Sequence, residues 1–190
     1  MARVGILALQ GDFEAHAEAV LGLGHAPRSV KTAADLDSTD ALVLPGGESS
    51  TMLKLLVEEE LFEPLRDACR SGRPVLGTCA GAILLARAVT GPVQRSLGVL
   101  DIEVERNGYG RQRDSFITTV PAGLLGGDEL ETVFIRAPLI RATGPEVEVV
   151  LQHDGTPILV RQGPIWAATF HPEMSDDGRV LAAVLEGLPG

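Results

Sequence analysis

The sequence has little cysteine and no long apolar run. Two of its 190 residues are cysteines, Cys69 and Cys79, and they form no C-x-x-C pair. This argues against a disulfide framework and is typical of a reducing compartment. The apolar runs are shorter than the roughly 18 residues of a membrane span. The first residues turn polar at Gln10 without a small-residue cleavage pattern, so they are interpreted as a strand rather than a signal peptide. We therefore expect a cytoplasmic protein.

Positive charge is also scarce. There are 16 Lys and Arg against 26 Asp and Glu, a formal net charge of -10. An acidic surface argues against nucleic acid or an anionic membrane as a partner. The length suits one hydrophobic core, and we find no repeat, low-complexity segment or linker. We therefore treat residues 1–190 as a single domain.

In the first half of the chain, short apolar runs alternate with segments of helical spacing. The runs are typical of strands that are covered on both faces. They lie at 3–11, 28–31, 41–47 and 74–78. We predict helices at 12–24, from Ser49 or Ser50 as the N-cap, at 61–69 and at 80–89. This alternation predicts an α/β fold, doubly wound around a mainly parallel sheet.

The second half is rich in β-type runs and turn signals such as Asp154-Gly155. We expect these runs to add antiparallel strands to the sheet. The stretch 175–188 begins with acidic residues and continues with an apolar stripe, so it predicts a final helix.

The stretch Gly77-Thr78-Cys79-Ala80-Gly81 has the form G-x-C-x-G between a predicted strand and a predicted helix. This is the cysteine version of a nucleophile elbow, in which small residues allow a sharp turn that exposes the sulfur. The N-terminus of the following helix favours the thiolate. Taken alone, the pattern fits a packed cysteine beside a tight turn equally well.

A nucleophilic cysteine needs a base and a group that orients the base. His16 and His25 are expected at the surface, and His153 is expected in a loop. His171 follows an apolar run, and Glu173 comes two residues later. In extended chain this spacing puts both side chains on one side, and Pro172 favours extended geometry at His171.

A third candidate element is the glycine turn in L-P-G-G-E-S-S. Glycines at a strand end can bring backbone N–H groups close to a ligand, although Pro-Gly-Gly is also an ordinary turn. The N–H groups of Gly47 and Ala80 are the candidates for an oxyanion hole.

Together these patterns resemble the class I, triad-type glutamine amidotransferases. Further blocks, L-Q-G-D-F, P-G-G-E-S-S-T, V-E-R-N-G-Y-G-R-Q and F-H-P-E, are similar to the glutaminase subunits of pyridoxal 5'-phosphate synthase. The blocks run from residue 5 to residue 174, nearly the whole chain. The resemblance implies a flavodoxin-like class I glutaminase domain. It also implies hydrolysis of L-glutamine to glutamate and ammonia, and delivery of the ammonia to a separate synthase subunit.

The resemblance also implies site residues. Cys79 would be the nucleophile, His171 the base and Glu173 its orienting group. Glutamine binding would use Gly47, Glu48, Ser49, Arg106, Ile135 and Arg136, and Gln10 would lie on the side of the partner subunit. An Arg suits the α-carboxylate of glutamine and a Glu its α-ammonium group. No metal or organic cofactor is implied. Arg111, Arg113 and Asp114 are expected to be either solvated or in contact with the partner.

Two alternatives stay open at this level. The chain could be a glutaminase subunit that feeds another synthase, such as one that makes imidazole glycerol phosphate, although the V-E-R-N-G-Y-G-R-Q block counts against it. It could also be a binding subunit that has lost catalysis, although the set of Cys79, His171 and Glu173 argues against that.

Overall fold

A computed structural model describes residues 1–108 and 115–188 of the chain. The strands of this part are β1 Arg3–Leu7, β2 Ala26–Val30, β3 Ala41–Leu44, β4 Val75–Thr78, β5 Ala86–Thr90, β6 Leu100–Glu105, β7 Ser115–Pro121, β8 Glu129–Ile135, β9 Leu139–Thr143, β10 Glu148–His153, β11 Thr156–Gln162 and β12 Ile165–Ala168. The α-helices are α1 Phe13–Gly22, α2 Ala33–Asp37, α3 Ser49–Glu58, α4 Phe62–Arg70, α5 Ala80–Leu85 and α6 Arg179–Val184. Two 3₁₀ helices span Gly123–Leu125 and Pro172–Met174.

The central sheet has seven strands in the order β10-β11-β12-β4-β3-β1-β2. Every neighbouring pair from β12 to β2 is parallel, whereas β10 and β11 are antiparallel additions at one edge. The predicted α/β fold with a mainly parallel sheet is therefore confirmed.

Both faces of the sheet are covered, which explains the continuous apolar runs. Alternate residues of a strand point to opposite faces. Accordingly Leu42 and Leu44 belong to a core cluster with helices α3, α4 and α5, whereas Ala41 and Val43 belong to a second cluster with α1 and α6. A strand that packs on both sides cannot alternate apolar and polar residues.

The parallel arrangement brings the ends of β1, β3, β4 and β12 to one edge of the sheet. In open α/β sheets ligands bind at this edge, where the carboxyl ends of the strands lie. The segments that follow these strands contain Gln10, the glycine turn, Cys79 and His171. Residues that are far apart in the sequence therefore meet at one place.

The prediction of a helix over 80–89 is wrong in its second half. Helix α5 ends at Leu85, and the chain continues directly as β5. Ala86 pairs with Leu100 in a parallel ladder between β5 and β6, and Val89 is buried against the same core cluster as α5. Helical and strand periodicity are hard to tell apart in a short apolar run. Here pairing with β6, which comes later in the chain, determines that residues 86–90 form a strand.

The second half adds fewer strands to the central sheet than expected. Strands β5, β6 and β9 form a separate three-stranded sheet, and β7 and β8 form a two-stranded sheet. Along the chain, only β10, β11 and β12 of this half join the central sheet among the described residues. Within residues 1–108 and 115–188, no helix is long and apolar enough to cross a bilayer.

We predict that the fold is sensitive to a single methyl group where α5 crosses the sheet. A Cβ atom on Gly81 would overlap the backbone carbonyl of Leu44 at the end of β3, and backbone cannot move aside easily. Gly81→Ala is expected to lower the free energy of unfolding by about 2 kcal/mol or more, measured by urea denaturation.

Gly22→Ala is the matched control for this prediction. Gly22 lies at the end of α1, and no atom lies within 4 Å of its added Cβ. Since alanine is the better helix former, this variant is expected to raise the free energy of unfolding by about 0.5 kcal/mol. Equal effects of the two substitutions would contradict the steric explanation.

Candidate active site

Cys79 sits on a strained turn between β4 and α5. Its φ of 47° and ψ of -101° are unusual for a residue with a side chain. Its backbone N–H donates a hydrogen bond to the carbonyl oxygen of Ala168 at 2.9 Å, which ties the turn to the end of β12. Gly77 and Gly81 allow the turn because a Cβ on either would overlap neighbouring atoms. The geometry is that of a nucleophile elbow.

His171 and Glu173 lie just beyond the end of β12. The distance between His171 Nδ1 and Glu173 Oε1 is 2.7 Å, and the His171 N–H donates to the Val133 carbonyl at 2.8 Å. The expected contact is present, but the expected extended geometry is wrong. Pro172–Met174 forms a 3₁₀ turn, which brings Glu173 back toward the imidazole ring. Proline is well tolerated in the first turn of a helix, so Pro172 is compatible with this turn.

His16 belongs to the same cluster, and the expectation that it lies at the surface is wrong. It is 1% exposed on α1, and its Nε2 lies 3.2 Å from Thr78 Oγ1 and 3.4 Å from Glu173 Oε1. A signal in the sequence could have found it. His16 follows Phe13 by three residues and precedes Val20 by four, so it lies on the apolar stripe of the helix.

The other two histidines also differ from expectation. His25 is 9% exposed and accepts a hydrogen bond from the Ala2 N–H at 3.3 Å on Nδ1. His153 is the last residue of strand β10, and its ring lies 5.8 Å from that of Phe116. Neither is among the residues that line the cavity at Cys79.

The electrostatics of the cluster keep Glu173 charged. Its side chain has no exposed surface, and burial raises its pKa. Interaction with His16 and His171 opposes this effect and holds the pKa well below its usual range. For His171, burial lowers the pKa, but interaction with Cys79 and Glu173 outweighs burial and raises it. His171 therefore retains a proton more strongly than a free imidazole does.

Among the described residues, no hydrogen bond joins Cys79 to His171. Cys79 Sγ lies 3.9 Å from the Ile135 carbonyl oxygen, and His171 Nε2 is buried with no hydrogen bond to the part of the chain that the structure describes. A nucleophile and its base are often loosely aligned before substrate binds. Nε2 is thus the ring nitrogen available to the thiol, since Nδ1 is engaged by Glu173.

A cavity of about 300 Å³ opens beside the thiol. Its wall includes Cys79, His171 and all six residues that are expected to bind glutamine. They are Gly47, Glu48, Ser49, Arg106, Ile135 and Arg136. Ala80 and Gln10 are not part of the cavity wall. Ala80 follows Cys79 at the start of α5, and Gln10 lies behind the glycine turn.

Glu48 and Arg106 form an ion pair at the cavity wall. Arg106 Nη2 lies 2.9 Å from Glu48 Oε1. Glu48 is also the N-cap of α3, in place of the expected Ser49 or Ser50, because its carboxylate accepts from the N–H groups of Ser50 and Thr51 at 3.2 and 2.7 Å. Hydrogen bonds, first from the Ser50 hydroxyl, lower the pKa of Glu48 to about 2. A carboxylate at a helix N-terminus also interacts favourably with the helix dipole.

Two further contacts hold the glycine turn. Gln10 Oε1 accepts a hydrogen bond from the Glu48 N–H at 2.8 Å, and a Cβ on Gly47 would overlap the same amide group. Ser49 Oγ donates to Gln94 Oε1 at 3.1 Å. Gln94 was not expected at the site, and no pattern in its surroundings points to it.

Ile135 and Arg136 lie at the end of β8, and the backbone of Arg136 is left-handed with a φ of 44°. Arg111, Arg113 and Asp114 lie outside the described residues. Over the described ranges 1–108 and 115–188, no group of three or more His, Cys, Asp or Glu side chains is placed to hold a metal ion.

The fold is found in known amidotransferases. A crystal structure described as a glutamine amidotransferase is 43% identical to this chain and superimposes with a TM-score of 0.89, covering 96% of this chain and 97% of the other. A glutamine amidotransferase from Thermotoga maritima is 17% identical with a TM-score of 0.64, covering 98% of this chain and 84% of the other, which shows the shared fold alone.

Sequence comparison identifies the family. The model of the SNO glutamine amidotransferase family matches residues 6–186. The chain is 49% identical to the pyridoxal 5'-phosphate synthase subunit PdxT of Solibacter usitatus, covering 99% of this chain and 100% of the relative. It is 52% identical to the protein of the same name from Koribacter versatilis, covering 94% of this chain and 91% of the relative. The chain therefore belongs to the SNO glutamine amidotransferase family.

Proposed function

We propose that this chain hydrolyses the side-chain amide of L-glutamine and delivers the ammonia to the synthase subunit of pyridoxal 5'-phosphate synthase. The observation that carries this proposal is the meeting of a strained cysteine, an imidazole and a buried carboxylate at the edge of the sheet. The printed name of the relatives, pyridoxal 5'-phosphate synthase subunit PdxT, supports the choice of synthase.

The reaction begins with the transfer of the Cys79 proton to His171 Nε2. The sulfur then attacks the side-chain amide carbon of glutamine and forms a tetrahedral intermediate. Glu173 stabilises the imidazolium because its carboxylate stays charged and accepts from Nδ1–H. The N–H groups of Gly47 and Ala80 are the proposed donors to the oxyanion.

The intermediate collapses when the imidazolium of His171 gives its proton to the leaving nitrogen, which departs as ammonia. A γ-glutamyl thioester remains on Cys79. His171 deprotonates a water molecule, which attacks the thioester carbon and forms a second tetrahedral intermediate. Breakage of the carbon–sulfur bond releases glutamate, and the imidazolium of His171 returns the proton to the sulfur. Each step uses protein groups and water, so the mechanism requires no cofactor, and pyridoxal 5'-phosphate is the product of the complex.

The substrate side of the proposal uses the ion pair at the cavity wall. Arg106 would bind the α-carboxylate and Glu48 the α-ammonium group of glutamine. Gly47, Ser49, Ile135 and Arg136 would complete the pocket, and Gln10 would lie toward the partner. Because Cys79 must stay reduced, we place the protein in the cytoplasm, where thiols persist.

Removal of the thiol is expected to abolish glutaminase activity. Cys79→Ala should reduce ammonia release by about 10³-fold or more in the presence of the cognate synthase subunit, because no thioester can form. Cys69→Ala is the matched control. Burial raises the pKa of Cys69 to about 12 and it lies in the core, so this variant should retain activity.

The assay of ammonia release also separates the alternatives. Ammonia release that is unchanged by the synthase subunit of pyridoxal 5'-phosphate synthase would support glutaminase activity. The same result would contradict delivery of ammonia to that synthase. No release with the partner present, together with no labelling of Cys79 by an alkylating glutamine analogue, would indicate a binding subunit without catalysis.

The Glu173 carboxylate is expected to control the pH dependence of His171. In Glu173→Gln the charge that raises the pKa of His171 is lost, so the pKa of the imidazole falls. A less basic imidazole takes up the thiol proton less readily. The pH midpoint of the His171 ring, followed by nuclear magnetic resonance of ¹⁵N-labelled histidine, should therefore move downward, and turnover should fall by about 10²–10⁴-fold.

Asp176→Asn removes an exposed carboxylate three residues away and serves as the control. It should leave the pH midpoint of the His171 ring unchanged. An upward shift of this midpoint in Glu173→Gln, or equal shifts in both variants, would contradict the assigned role of Glu173.

Substitution of Arg106 is expected to act on substrate binding. Arg106→Lys keeps the charge but loses the planar fork that can bind a carboxylate through two hydrogen bonds, so KM for glutamine should rise by about tenfold with a smaller change in kcat. Arg87→Lys alters a surface pair with Asp101 and should leave KM unchanged. An unchanged KM in Arg106→Lys would contradict the proposed carboxylate contact.

A further inference from the structure

His16 is a buried histidine in contact with the Cys79–His171–Glu173 cluster that the proposed mechanism does not use. Its Nε2 lies between Thr78 Oγ1 at 3.2 Å and Glu173 Oε1 at 3.4 Å. The side chains of His16 and Glu173 are 2% and 0% exposed. Thr78, which is fully buried, directly precedes Cys79 in the chain. One imidazole therefore touches both segments that carry the catalytic candidates.

The chemistry of the contact specifies which form of His16 suits the site. An ionised carboxylate can only accept hydrogen bonds. A bare ring nitrogen facing it would add repulsion between lone pairs, whereas an N–H group would add attraction. Nε2 of His16 is therefore assigned the proton, which lies between Thr78 Oγ1 and Glu173 Oε1. The same carboxylate oxygen accepts from Nδ1 of His171, so two histidines on different elements of the fold contact it.

We propose that His16 is a positioning residue, which holds the Glu173 carboxylate in the orientation that His171 requires. The proposal rests on the proposed glutaminase function and adds a fourth member to its machinery. Its role is indirect, because His16 lines the cavity behind the triad and not the one that contains the thiol.

The position of His16 is well determined by its helix. Asp12 caps α1 by accepting from the Ala15 N–H at 3.3 Å, and Val20 of the same helix is buried in the core. Helix α1 also packs against the 3₁₀ turn that carries Glu173. The helix is thus a rigid support from which one N–H group reaches the carboxylate.

The second cavity explains why the contact is needed. It has a volume of about 410 Å³ and reaches both His16 and Glu173. Its wall also carries Glu18, Asp176 and Asp177. Without the imidazole, water from this side would compete with His171 for the carboxylate, and nearby negative charge would repel it.

The test compares three variants in complex with the cognate synthase subunit. His16→Leu removes the donor and retains an apolar side chain of similar reach. His16→Gln restores an amide N–H close to the position of Nε2. His25→Leu makes the same chemical change at another buried histidine, which bonds Ala2 and lies outside the cluster. Thermal unfolding of each variant checks that the fold is intact.

We expect kcat for ammonia release to fall about 10- to 100-fold in His16→Leu, the range expected when a hydrogen bond to a charged group is lost, with KM within about twofold. His16→Gln should recover most of the loss, and His25→Leu should match the wild type. Full activity in His16→Leu, or equal losses in His16→Leu and His16→Gln, would overturn the proposal.

Nuclear magnetic resonance of the free chain gives a readout that does not depend on turnover. With ¹⁵N-labelled histidine, the Nδ1 proton of His171 should resonate far downfield because it is shared with a carboxylate. This resonance should shift or broaden in His16→Leu and stay unchanged in His25→Leu. An unchanged resonance in His16→Leu would overturn the positioning role. The wild-type chain could release no ammonia while the resonance still changes in His16→Leu. This result would contradict the proposed function and support the positioning role of His16.

Discussion

The buried carboxylate of Glu173 is the group on which the site depends. A charge without exposed surface is costly unless hydrogen bonds compensate for lost hydration. Compensation comes from His171 on the same turn and from His16 on α1. The same hydrogen bonds that allow the charge to be buried also fix the imidazole ring. Stability and orientation therefore have one physical origin here, and a change that disturbs one disturbs the other.

The parallel sheet brings these groups together. β4 pairs with β12, so the elbow at Cys79 and the turn at His171 follow neighbouring strands and emerge at the same edge. β3 pairs with β4 on the other side and delivers the glycine turn. This close packing tolerates no extra atoms, since a Cβ on Gly46 would overlap the ring of His171. Glycine is required at such positions because neighbouring backbone or the candidate catalytic side chains occupy the space that a larger side chain would need.

Local patterns predicted much of this, and the failures share a cause. The alternation of strands and helices and the elbow around Cys79 depend on near neighbours, which the sequence displays directly. Strand β5 pairs with β6, the 3₁₀ turn at Glu173 packs against α1, and His16 is buried against Glu173. All three depend on partners outside their own segment. A polar residue on an apolar helix stripe, as at His16, is the available sign of such a partner.

The charges of Glu48 and Arg106 complement those of glutamine, but the two side chains also pair with each other. One cation and one anion suit a zwitterion such as free glutamine, but in the structure Arg106 and Glu48 already neutralise each other. Under the proposed function, glutamine would replace each partner with a group of the same sign, so binding would exchange ion pairs and bury no unpaired charge. The capping bonds from Ser50 and Thr51 would hold Glu48 in place during this exchange. The helix cap thus keeps one half of the pair fixed while the other half accommodates the ligand.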